Sequence, residues 1–201
     1  QIAGILSDLA TPQFAFLLEA DRLKQVLRAT TLADGSRREN SGEHSWHLTL
    51  YALILADQAA PGVSIDRVVK MLILHDLVEI DTGDVPIHSQ NGQAHGSAAV
   101  TEAEARAADR IFGLLPSDIG QPLRALWEEF EASETADAIF AKSLDRVQPL
   151  LHNIASGGGS WIDYNVTFEQ LEERVGQKVA RGAPRLWPYV RDRARHFFFP
   201  D

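Results

Sequence analysis

Apolar residues recur at three- and four-residue spacings along most of this chain. No segment alternates apolar and polar positions with β-branched enrichment, so the pattern predicts an all-α protein. A first helix is expected after Thr11-Pro12, an N-cap followed by proline at the first helical position. It carries Phe14, Leu17, Leu18, Leu23 and Val26 and ends near Arg28. The polar stretch from Thr30 to Gly42 contains Asp34-Gly35-Ser36 and is expected to be a loop. A second helix, from about Glu43 to Ala59, places His44, His47, Leu48, Tyr51 and Leu55 at helical spacing before Ala60-Pro61-Gly62 ends it. Ser64 can cap a third, from Ile65 to about Ile80.

Glycines and a proline between Asp81 and Gly96 predict a long loop of the kind that carries function. Further helices are expected from about Ala98 to Leu114, Asp118 to Ser133, Thr135 to Ala155, Thr167 to Gly182 and Pro184 to Phe198. Ser156-Gly157-Gly158-Gly159-Ser160 separates two of them. With no strand before it and no Lys-Ser/Thr after it, this run is a helix stop rather than a phosphate loop. The aromatic tail His196-Phe197-Phe198-Phe199 is too short for a membrane anchor and is expected to pack on the bundle or on a second subunit.

Composition narrows the class. The 201 residues, 45% hydrophobic and 23% charged, are expected to form one domain with its own core. A formal net charge of -9 argues against binding long nucleic acids, whose affinity comes from phosphate neutralisation, but a local basic group beside a metal still admits a small anion. Cysteine is absent, which removes disulfides, thiolate zinc sites and cysteine nucleophiles. No apolar run approaches the roughly 18 residues of a membrane span. The opening Gln1-Ile2-Ala3-Gly4-Ile5-Leu6-Ser7-Asp8 lacks a basic region, so a cytoplasmic protein with no membrane partner is expected.

Few ionisable groups sit on apolar helical stretches: His44, His75, Asp76, Glu79 and Asp145. His75-Asp76 interrupts the run from Val68 to Ile80, where burying an imidazole and a carboxylate unpaired costs several kcal/mol. A hydrogen-bonded core pair satisfies that dipeptide, and so does a metal. Together, His44, His75, Asp76 and Asp145 make a mixed nitrogen and oxygen set suited to a first-row divalent ion held between bundled helices. Glu79 lies one helical turn beyond the pair, placed to meet a water without being a ligand.

The order His44, His75-Asp76, Asp145 resembles the HD-domain phosphohydrolases. The segments Arg38-Glu39-Asn40-Ser41-Gly42-Glu43-His44-Ser45 and His75-Asp76-Leu77-Val78-Glu79-Ile80-Asp81-Thr82-Gly83-Asp84 look like the branch that contains bacterial 5'-deoxynucleotidases. The resemblance implies an HD-type helical bundle whose core runs from about residue 12 to 155, with C-terminal helices from about 156 packed on it. It implies one divalent ion (Mn, Co, Fe, Zn or Mg) on His44, His75, Asp76 and Asp145, with Glu79 as the catalytic carboxylate. The implied substrate is a nucleoside 5'-monophosphate or a similar small phosphate ester, and the implied assembly is a homodimer. By position, Arg28 matches an arginine that orients the phosphate, and Asp84 an acid that contacts the sugar. Ile87, His88, Ser89 and Gln90 match further substrate contacts. Ala29 departs from the pattern, standing where such enzymes carry a tryptophan thought to sense the missing 2'-hydroxyl. Arg37-Arg38 is a second candidate for the phosphate, His88 and His95 for a second ion, His47 for support of His44, and His152 and Asn153 for the pocket lining.

Overall fold

The computed structural model describes residues 11–200 of the protein. The opening segment Gln1–Asp8, read above for its charge, lies outside them. Helix α1 (Pro12–Asp21) runs into a single 3-10 turn, Arg22–Gln25. The chain then extends, where the apolar spacing predicts more helix and a loop, into β1 (Leu27–Thr31). This strand pairs antiparallel with β2 (Arg38–Asn40), Leu27 opposite Asn40 and Thr31 opposite Arg38. Alternation is present in β1, but its inward residues Arg28 and Thr30 are polar, so a hydrophobicity pattern cannot register it. The turn is closed by Asp34, whose carboxylate accepts the Ser36 N–H at 2.9 Å.

Helix α2 (Ser41–Ile54) starts abruptly because Asn40 and Glu43 form a capping box. Asn40 Oδ1 accepts the Glu43 N–H at 2.9 Å, and Glu43 Oε2 accepts the Asn40 N–H at 3.1 Å. Helix α3 (Ile65–Leu74) begins at Ser64 as expected. It does not continue as α-helix to Ile80: the backbone tightens to a 3-10 turn over His75–Val78 and resumes as α4 (Glu79–Thr82). Gly83 follows with φ 72° and ψ 165°, a region essentially reserved for glycine, and turns the chain so that Asp84 comes back toward β1.

Helices α5 (Ala98–Phe112), α6 (Ser117–Ala132) and α7 (Ala136–Ala155) lie within a residue or two of their expected limits. Beyond the glycine run come α8 (Ser160–Asp163), α9 (Phe168–Leu171), a π turn over Glu172–Gly176, α10 (Gln177–Gly182) and α11 (Trp187–Phe198). The core is layered around α7. Leu48, Met71, Leu72, Phe130, Phe140 and Leu144 fill the space between α2, α3, α6 and α7. Leu74, Leu77, Ile111, Phe112 and Trp127 join the 3-10 turn to α5 and α6. Val147, Leu150, Trp161, Phe168 and Val190 seat the C-terminal helices on the far side of α7. The aromatic tail packs on this third group, with Phe197 and Phe198 centred 5.4 and 5.2 Å from Trp161. Gly182 lets α10 approach closely, since a Cβ there would stand 2.4 Å from the Ile139 carbonyl oxygen of α7. Among the described residues no helix is long and apolar enough to cross a membrane.

Candidate metal centre

Three elements bring the four expected ligands to one point. The capping box sets His44 one turn into α2, the 3-10 turn carries His75 and Asp76, and the middle of α7 supplies Asp145. All four are buried. His44 Nε2 stands 3.0 Å from Asp145 Oδ1, while His75 Nε2 is 2.9 Å from Asp76 Oδ1 and 3.6 Å from Asp145 Oδ1.

The hydrogen bonds behind the rings decide what these atoms can do. His75 Nδ1 donates to the Leu72 carbonyl at 2.8 Å, so in the neutral ring Nε2 carries a lone pair. His44 Nδ1 donates to Gln148 Oε1 at 3.1 Å, because the Gln148 amide is oriented by Nε2 donating to Glu39 Oε1 at 2.7 Å. Both Nε2 lone pairs therefore face carboxylate oxygens, which are also acceptors. His75 Nε2 is buried without a hydrogen-bond partner. Acceptors facing acceptors inside a protein require positive charge between them, either added protons or a cation. The ligand atoms of His44, His75 and Asp76 lie within 4.8 Å of one another, so a divalent ion fits this donor set. In its absence His75 takes the proton: burial opposes its charge, but Asp76 and Asp145 outweigh burial and raise it to about 10. Burial likewise opposes the Asp76 charge, and His75 and Arg28 overcome it, holding the carboxylate at about 2.

Arg28 enters from β1 and meets a ring of acids. Its Nη1 is 2.9 Å from Asp76 Oδ2, 3.7 Å from Asp84 Oδ1 and 3.9 Å from Glu79 Oε1, and its Nε is 3.9 Å from Glu39 Oε2. Glu79 Oε2 accepts from the Ser41 hydroxyl. Burial first, then the neighbouring Asp76, pushes the Glu79 carboxyl well above its ordinary value, with Arg28 opposing. Asp84 is raised too, chiefly by burial, and its Oδ2 accepts the Ala29 N–H at 3.2 Å.

A cavity of about 770 Å³ opens on this cluster, lined by Arg28, Ala29, Asp76, Glu79, Asp84 and Asp145 among others. Ile87 and His88 also line it. Ser89 and Gln90 do not: the Ser89 hydroxyl donates to the Pro86 carbonyl, and Gln90 is exposed on a 3-10 turn. Arg37 is exposed and spends its guanidinium on Glu43, while His95 donates from Nδ1 to the Val85 carbonyl and accepts from Arg146 at Nε2. His95 therefore has no lone pair left for a second ion. Behind His44, a further group formed by Glu39, His47 and His152 surrounds the Gln148 amide nitrogen at 2.7, 3.4 and 3.3 Å. That nitrogen occupies the place an ion would take. Asn153 lines the cavity, and His152 is instead turned to the Thr31 carbonyl. Sequence reasoning missed Glu39, Gln148 and Arg146. Each is a buried polar residue, and its helical or strand neighbours made it look ordinary.

A family model described as an HD domain matches residues 20–187. The chain belongs to the HD-domain family. A solved structure described as a predicted metal-dependent phosphohydrolase from Magnetospirillum magnetotacticum MS-1 superposes on this HD-domain chain with a TM-score of 0.85. It is 45% identical, with 92% of this chain and 93% of that one covered. Human 5'-deoxynucleotidase HDDC2 is 28% identical over 137 residues, a stretch that spans 68% of this chain and 64% of the human protein. The 5'-deoxynucleotidase of Erwinia tasmaniensis is 26% identical over 171 residues, covering 82% of this chain and 86% of its own length.

Proposed function

We propose that this HD-domain protein is a divalent-metal-dependent phosphohydrolase that releases phosphate from nucleoside 5'-monophosphates. The observation that carries the reading is the buried pair of imidazole Nε2 atoms facing Asp76 and Asp145, with Glu79 beside them and a cavity open above. His44, His75, Asp76 and Asp145 would hold the ion. When bound, it supplies Lewis-acid charge to the phosphoryl group and lowers the pKa of water.

The chain's own residues do the rest. Glu79, its carboxyl held above its ordinary value by burial and Asp76 and steadied by the Ser41 hydroxyl, accepts a proton from the attacking water. Arg28 keeps Asp76 ionised and oriented through Nη1 and turns the rest of its fork to the phosphoryl oxygens. Asp84, fixed by the Ala29 N–H, meets the sugar, while Ile87 and His88 close the cavity wall beyond it. Ala29 presents only a methyl group at the sugar end, so ribose and deoxyribose both fit this reading. A homodimer is part of the same proposal, supported by the exposed stripe Trp46, Leu50 and Leu53 along α2.

The test is phosphate release over a panel of ribo- and deoxyribonucleoside 5'- and 3'-monophosphates, with Mn, Co, Fe, Mg and Zn supplied in turn. Glu79→Ala is expected to keep its metal and lose about 100-fold or more of turnover. Release from no member of the panel, or unchanged turnover in Glu79→Ala, refutes the reading.

A further inference from the structure

The metal centre is poor in positive charge for a site that must accept a phosphate. Glu39, Asp76, Glu79, Asp84 and Asp145 place five carboxylates around it, against Arg28 and one divalent ion. Five negative charges against three positive leave a deficit of two before any dianion arrives. The raised Glu79 and Asp84 reduce that deficit without producing a surplus.

The part of the cavity lining supplied by α7 and α10 has the reverse character, although the chain as a whole is acidic. Lys142 and Arg146 stand one turn apart on α7, and Lys178 faces them from α10, all three lining the cavity. Arg146 is only 8% exposed. Its Nη2 is committed to the neutral ring of His95 at 3.1 Å, its Nη1 lies 3.7 Å from Asp145 Oδ2, and its Nε is buried with no partner. A buried guanidinium with an unpaired N–H is costly unless a ligand completes it. Lys142 is paired with Glu131 at 3.0 Å, whereas Lys178 forms no ion pair among the described residues.

The neighbours register the excess charge. Lys178 is lowered to about 8, with Arg146 the largest cause and burial next. His88 and His95 are lowered to about 4, mainly by burial, with Arg174 and then Arg146 adding to His88 and Arg146 adding to His95. Lys178 is thus discouraged from carrying positive charge first of all by a cation already there, and the two histidines first of all by burial.

We propose that Arg146, with Lys178 beside it in the cavity lining, is a phosphoryl-binding subsite that grips the substrate's phosphate from α7 while Arg28 reaches it from β1. This rests on the phosphohydrolase reading above for the identity of the anion. Arg146 is next in sequence to Asp145, and its Nη1 reaches to within 3.7 Å of that carboxylate, as Arg28 Nη1 lies 2.9 Å from Asp76, so each guanidinium stands beside one expected ligand of the metal centre. Lys178 adds charge at the cavity side of the same group. The partition also gives the substrate a direction: phosphate toward α7 and α10, sugar toward Asp84 and β1.

The experiment is calorimetric binding of inorganic phosphate to the metal-loaded protein, with metal affinity measured alongside. Arg146→Met is expected to weaken phosphate binding by about 10- to 100-fold, the range of one lost charge-assisted contact, and Lys178→Met by several-fold. Metal affinity in Lys178→Met is expected to match wild type. Should Arg146→Met lose its metal or fail to fold, Arg146→Lys replaces it, keeping charge but losing the fork. Wild-type phosphate affinity in Lys178→Met together with either Arg146 variant overturns the proposal. Phosphate binding requires no turnover. A wild-type protein that binds phosphate through Arg146 but hydrolyses no nucleotide refutes the activity and leaves the subsite standing.

Discussion

Gln148 is the residue whose replacement tests most directly how the metal centre is held. It is fully buried on α7, accepts from His44 Nδ1 at 3.1 Å and donates to Glu39 Oε1 at 2.7 Å. Gln148→Leu keeps the volume and removes both bonds. His44 then loses the acceptor that holds its proton on Nδ1, and the ring can present Nε2–H, which has no lone pair for an ion. Glu39 Oε2, 3.4 Å from His44 Nδ1, can recover part of that bond, so the loss is partial. Removing an orienting partner of a metal-bound histidine costs about 10- to 100-fold in affinity, or about 1.4–2.7 kcal/mol. Stranding a buried Glu39 oxygen costs a further ~1–3 kcal/mol of stability, present with or without metal. Competition against a chromogenic chelator reads the first quantity, and urea unfolding of the metal-free protein reads the second. Gln148→Glu restores an acceptor for His44 but sets a second carboxylate against Glu39, so it is expected to recover metal affinity and not stability. Wild-type metal affinity in Gln148→Leu would refute the idea that His44 is oriented through Gln148.

Metal uptake is expected to release a proton from His75. The ring sits near 10 in the metal-free protein against 6.5 in the unfolded chain, so it is charged at neutral pH until an ion displaces the proton. In the metal-free fold, stabilisation from charged His75 is fully present below about pH 6.5 and is lost as pH rises through about 10. Metal titration in two buffers of different ionisation enthalpy measures the proton, and equal apparent enthalpies would contradict it. For the assembly, Leu53→Glu places a charge in the α2 stripe and is expected to shift sedimentation from dimer to monomer. An unchanged sedimentation coefficient removes that face from the interface.

The helical frame was readable because its apolar positions follow helical spacing and its caps are explicit. Ser64 begins α3 as its capping predicts and α7 starts within a residue of Thr135, whereas the Asn40–Glu43 box that begins α2 lies partly in the stretch expected to be a loop. His44, His75, Asp76 and Asp145 stood out because charge on an apolar helix needs a reason. Helical spacing carries the first helix to about Arg28, because β1 turns polar residues inward and leaves no apolar alternation to find. Glu39 and Gln148 were silent for a related reason. Their burial depends on tertiary contacts across 109 positions of sequence, and local spacing carries no trace of those. The 3-10 turn at His75–Val78 was equally invisible, since Val68 to Ile80 keeps helical periodicity straight through it.

The short hairpin β1–β2 gives the site a sensitivity to insertions and deletions that the helices do not share. Side chains on a strand change face with every residue, so a slip of one position in β1 would withdraw Arg28 and Thr30 and send Leu27 and Ala29 inward. The exposed turn at Asp34-Gly35-Ser36 can absorb added residues without moving the Leu27–Asn40 and Thr31–Arg38 pairs, whereas β1 already departs from regular register between Leu27 and Thr31, and a further residue there would change which side chains face inward. Length variation in descendants of this chain should therefore accumulate at the hairpin tip rather than in its arms.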